Sequence, residues 1–184
     1  MGTLFLSCFI SVHVYGSPPA TNFKAISTDQ VEVSGVYRSG GKYWNFGKSG
    51  RYQSFGVATF ATKKFPAKHA ILELHESDYK STRPGKITIW LVASSSLNGV
   101  KYLASKPGGY GSQLGKPILV GAYSFSPSAD KSDREDHIPL NSHLSSLMFR
   151  AKSGRVSLVF TMKNGFATFA GSGSPTPPLL VFKK

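Results

Sequence analysis

Three side chains able to ligate a metal or move a proton fall in one short segment, His69-Ala-Ile-Leu-Glu-Leu-His75. His69, Glu73 and His75 are spaced by even offsets. In an extended chain side chains alternate between faces, so all three stand on one side of a strand. Two imidazoles and a carboxylate in a row suit a zinc- or copper-type centre. The same set offers a base and an acid to a polysaccharide lyase or hydrolase. The plainer alternative is the exposed face of a strand whose other side, Leu72 and Leu74, packs inward, with Ile71 sharing the histidine face.

A second cluster interleaves aromatic and basic residues: Tyr37-Arg38, Lys42-Tyr43-Trp44, Lys48 and Arg51-Tyr52. Flat rings offer apolar faces for sugars, and Arg or Lys pairs with carboxylates or sulfates, Arg bidentately. Such a mixture also suits single-stranded nucleic acid. The alternative folds Trp44 and Phe46 back as anchors on the core. Trp90 is a further aromatic candidate on the strand face opposite Ile87, Ile89 and Leu91. Asp130, Asp133, Glu135 and Asp136 supply hard oxygen donors for a structural calcium ion, but not at EF-hand spacing, and Lys131 and Arg134 between them favour a solvated loop.

Other chemistries find less support. No G-x-S-x-G is present, and the lone cysteine, Cys8, lies near the start of the chain. Glu73 and Glu76 fall on opposite strand faces, so they do not form a carboxylate pair. No catalytic residue is assigned, and the expectation is a non-enzymatic protein with no cofactor beyond that calcium.

The elements that must position these residues read as strands. Short apolar segments bounded by turn residues occur at 31–37, 52–60, 69–75, 86–93, 118–125, 155–162, 166–170 and 179–182. Residues 141–154 read as one short helix, capped by Asn141-Ser142 and carrying Leu144, Leu147, Met148 and Ala151. Residues 94–116 and 130–136 read as loops. Many short strands, with Gly and Pro scattered throughout, predict an all-β sandwich.

The 184 residues suit one domain, and 40% hydrophobic residues are enough for a core. With 22 Lys+Arg against 9 Asp+Glu, the formal net charge is +13. That excess implies an anionic partner such as an acidic polysaccharide, a nucleic acid or a lipid surface. No internal apolar run is long enough to cross a membrane as a helix. Residues 1–16 (MGTLFLSCFISVHVYG) read as a secretory signal peptide without a basic start; the alternatives are a first strand, or a lipid anchor at Cys8. Residues 17–28 then form a linker and 29–184 the domain.

The order of blocks adds a resemblance. GVYRSGGKYWNFGKSGRYQSFGVATF gives a strand, a loop ending in N-F-G and a strand; HAILELHES and KITIWLVASS follow; the tail ends ATFAGSGSPTPPLLVF. Residues 29–184 thus resemble the DNRLRE (disaggregatase-related) modules, as in secreted planctomycete-type proteins with a C-terminal sorting anchor. The resemblance implies an extracellular jelly-roll sandwich similar to non-catalytic carbohydrate-binding modules. On this reading the chain binds an acidic polysaccharide, and extracellular placement disfavours nucleic acid. A self-assembling cell-surface, matrix or filament protein is the alternative outside enzymes.

Overall fold

A computed structural model describes residues 21–32, 37–39, 41–62, 69–77, 82–92, 118–128, 134–141 and 154–183. They form eleven strands: β1 (Thr21–Glu32), β2 (Tyr37–Ser39), β3 (Tyr43–Ser49), β4 (Tyr52–Ala61), β5 (His69–His75), β6 (Gly85–Val92), β7 (Ile118–Phe125), β8 (Glu135–Leu140), β9 (Arg155–Met162), β10 (Phe166–Ala170) and β11 (Leu179–Lys183). The all-β class is the one expected. The signal peptide, residues 142–153 of the expected helix and the loop 94–116 lie outside the described residues. Three stretches differ from expectation. Residues 21–28, read as linker, belong to β1. The strand expected at 31–37 is divided between β1 and β2, and the aromatic-basic loop contains β3.

All pairings are antiparallel along the path β7-β6-β9-β4-β1-β11-β5-β8. β1 serves both layers. Residues 21–24 pair with β11, residues 25–32 pair with β4, and the register shifts between Ala25 and Ser27. Such an irregularity bends a strand and lets it pass from one layer to the other. The two ends of the path approach each other. Asn141 N donates to Val120 O at 2.9 Å, and Tyr123 Oη donates to Asp136 Oδ2 at 3.3 Å. β8 carries Pro139, which cannot donate to a ladder and is tolerated because β8 ends the path.

Alternation builds the core. Leu72 and Leu74 of β5, Ile87, Ile89 and Leu91 of β6, and Leu158 and Phe160 of β9 all point inward and are buried. At the centre the rings of Trp44, Phe46, Phe160 and Phe169 pack together, with Trp44 4.7 Å from Phe160 edge-on and 5.0 Å from Phe46. Each such ring contact adds about 0.5–1.5 kcal/mol beyond the area it buries. The rings lie so close to β4 that a Cβ on Gly56 would stand 2.6 Å from Phe46 Cδ1 and 2.7 Å from Trp44 Cζ2. Glycine is therefore required there by close approach. At Gly47 (φ 121°) it is required by the backbone as well, where β3 turns from β4 toward β10.

Candidate functional site

The aromatic-basic cluster lies on β2, β3 and the β3–β4 hairpin, and burial divides it. Trp44 and Phe46 face inward. Trp44 is 1% exposed, and its Nε1 donates to the Asp29 carbonyl at 3.0 Å. The expected contact of Trp44 with ligand is thereby corrected: an indole closed into the core and hydrogen-bonded there cannot stack on a sugar. The basic residues are at exposed positions. Lys42, Lys48 and Arg51 are exposed, Tyr43 is 49% and Tyr52 67% exposed, and Lys42 Nζ lies 5.5 Å from the Tyr43 ring centroid. Gly50 (φ 59°) opens the turn that presents Arg51. Among the described residues no carboxylate pairs with Lys42, Lys48 or Arg51. Arg38 differs, since its Nε lies 3.3 Å from Glu32 Oε1. Tyr37 pairs by its backbone with Val31 of β1. Trp90 stands on β6, separated from β4 by β9, half-buried, and its Nε1 donates to Thr161 Oγ1 at 3.2 Å. It is not brought to the hairpin.

The histidine-carboxylate face of β5 is real, but its partners come from β8. Glu73 lies directly opposite His137, and His75 opposite Glu135. Cross-strand neighbours in such a ladder stand about 4.5–5.5 Å apart at Cβ, close enough to interact. His137 Nδ1 is 3.6 Å from Glu73 Oε1, His137 Nε2 is 3.7 Å from Glu135 Oε1, and His75 Nε2 is 3.9 Å from the same oxygen. Donor atoms of Glu73, Glu135 and His137 all lie within 4.8 Å of one another. His69 begins the strand four residues from Glu73, about 13 Å away at the ordinary strand rise. It sits on the side away from His75, so the expected trio becomes Glu73 and His75 with Glu135 and His137.

The inner side of the same strands holds a different arrangement. Glu76 is buried, and both its oxygens accept from Ser128 N, at 3.1 and 3.0 Å. Arg134 Nε lies 3.7 Å from Glu76 Oε2 and donates to Asp136 Oδ1 at 2.9 Å, while Nη1 donates to Ser126 O at 2.6 Å. Tyr123 donates to the same Asp136 carboxylate. Burial and that carboxylate push the Tyr123 phenol well above its usual range. Hydrogen bonding to Asp136 likewise pushes Arg134 up. Glu135 and Asp136, grouped for calcium by sequence, thus point to opposite faces, and Asp136 is already engaged. Asp130 and Asp133 lie outside the described residues.

His137 was missed as a partner because the acid-rich run 130–136 reads as a loop and Pro139 obscures the strand. The signal was present: in EDHIPL, Glu135 and His137 alternate with Asp136, Ile138 and Leu140.

Comparison with known proteins adds little to this geometry. No family model matches the chain, and no curated protein matches it. Among solved structures it is distantly similar to the K1 cleaved adhesin domain of Lys-gingipain from Porphyromonas gingivalis W83, with 7% identity, a TM-score of 0.41, and coverage of 91% of this chain and 99% of that one.

Proposed function

We propose that the protein is a secreted, non-catalytic β-sandwich that binds an acidic polysaccharide through the exposed basic and aromatic residues of the β3–β4 hairpin. One observation carries the reading. In a chain of net charge +13, Lys42, Lys48 and Arg51 of one hairpin are exposed with no described carboxylate in ion-pair range, and Tyr43 and Tyr52 of the same hairpin are exposed too. An anionic polymer supplies the missing counter-charge, Arg51 can grip a carboxylate or sulfate with two parallel hydrogen bonds, and the two tyrosines offer apolar faces to sugar rings. Contacts of this kind are screened by salt, so affinity falls as ionic strength rises.

Binding to immobilised dextran sulfate, polygalacturonate and neutral dextran tests the proposal. The expected result is retention on the two anionic polymers, release by salt, no retention on neutral dextran, and no cleavage of any of the three. Retention on single-stranded DNA alone would assign the hairpin to another class of partner, and absence of retention on both anionic glycans would end the reading.

A further inference from the structure

We propose that Glu73, Glu135 and His137, with His75 as a fourth donor, form a binding site for a divalent transition-metal ion of the zinc type, clamping strand β8 to β5. The inference stands apart from the basic hairpin, which lies on other strands.

Three observations converge on it. The first is charge. The chain has 22 Lys+Arg for only 9 Asp+Glu, so an acid has many cations to choose from. Yet Glu73 and Glu135 are placed side by side, and their only ion-pair partners among the described residues are imidazoles. With neutral imidazoles, the two carboxylates repel each other across a few ångströms. The acids on the reverse of the same strands were treated differently, since Glu76 and Asp136 share Arg134.

The second is distance. The separations of 3.6, 3.7 and 3.9 Å are too long for hydrogen bonds. Two donors held tetrahedrally at ~2.0–2.2 Å from one zinc ion stand about 3.3–3.6 Å apart. Nδ1 of His137 faces Glu73 and Nε2 faces Glu135, so with one atom from each residue the donors lie within 4.8 Å of one another and close by up to about 1.5 Å around a shared ion. One nitrogen of His137 takes the ion.

The third is support and donor type. The four residues are two directly facing pairs on a regular antiparallel ladder, so the backbone fixes their spacing, and Leu72, Leu74 and Ile138 anchor the two strands in the core behind them. Imidazole with carboxylate suits zinc, copper or nickel, whereas calcium prefers oxygen donors throughout.

The test uses the full chain without a histidine tag, washed with chelator and titrated with Zn2+ by calorimetry and by thermal melting. The expected result is one ion per chain, with Tm raised by ~5–10 °C at a hundredfold excess over Kd. Calcium at the same concentration does not compete, and Co2+ gives a visible absorption band from a nitrogen–oxygen site. H137Q weakens binding by more than the ~10–100-fold that loss of an outer-shell partner costs, and the E73Q/E135Q double variant abolishes it. Melting of the metal-free variants shows that they fold, because the substituted side chains face outward. H69Q leaves binding unchanged. No saturable uptake of Zn2+, Cu2+ or Ni2+, uptake unaffected by H137Q and by the double variant, displacement by equimolar calcium, or loss of binding in H69Q would each overturn the proposal.

Discussion

The β3–β4 hairpin and the β5–β8 pair are both antiparallel ribbons rich in side chains able to do chemistry, and they assemble them in opposite ways. The hairpin takes neighbours in sequence and separates them. Tyr43 and Trp44 are consecutive, yet one ring is half exposed and the other is closed into the core. The β5–β8 pair takes residues more than sixty positions apart, Glu73 and His137, and sets them face to face. In a sheet, parity decides which side a residue serves and pairing decides what it meets. Proximity in sequence decides neither.

The largest test of this difference is W44A. If Trp44 belongs to the core, truncation costs about 3–5 kcal/mol, read as a drop in the denaturant midpoint. W44F, which keeps an aromatic ring, loses less and leaves glycan retention intact. A W44A protein that is as stable as wild type but fails to bind would restore Trp44 to the ligand face.

Next in size is E76A, which probes the inner side of β5–β8. It leaves Ser128 N without its acceptor and Arg134 with Asp136 as its one carboxylate partner among the described residues, at a cost of about 1–3 kcal/mol by thermal or chemical melting. E73Q, on the outer side of the same strand, changes stability by less than ~0.5 kcal/mol in metal-free buffer. Equal effects from the two would erase the distinction between the faces.

Tyr123 gives a pH signature to that inner network. Its phenol keeps its proton in the fold, while the unfolded chain releases it near the ordinary value of ~10. Below that pH the folded state holds its full advantage; above it the unfolded state binds fewer protons, so stability falls as pH rises. Y123F loses about 1 kcal/mol at neutral pH with the hydrogen bond to Asp136. Between pH ~10 and 11.5 its stability should decline less steeply than that of wild type. Parallel declines would show that Tyr123 does not carry the effect.

The smallest effects on stability belong to the exposed bases of the hairpin. K48Q and R51Q each change the unfolding free energy by less than ~0.5 kcal/mol, because neither residue has a described partner to lose.

What was legible in the sequence followed the same division. Strands β4, β5, β6, β7, β9, β10 and β11 were readable within about a residue, because Ile87, Ile89 and Leu91, or Leu72 and Leu74, alternate cleanly with their neighbours. β1 was masked by its passage between layers: its register shift breaks the alternation after Ala25. β3 was hidden by the glycines around it, which read as loop but let Trp44 and Phe46 approach β4 and let Gly47 turn. At the candidate sites, even spacing found the outer face of β5 before any partner was known. Alternation in EDHIPL marks the face that carries His137, but it could not pair that face with Glu73, because long-range pairing is set by the whole sheet.

The most direct test of the proposed function compares two variants with wild type on one column. The triple variant K42Q/K48Q/R51Q and W44F are loaded with wild type on dextran sulfate and eluted with a salt gradient. The triple variant should fold as wild type does and leave the column at markedly lower salt, while W44F should elute with wild type. The hairpin account is contradicted if the triple variant elutes with wild type, or if W44F, still folded, is the one that fails to bind.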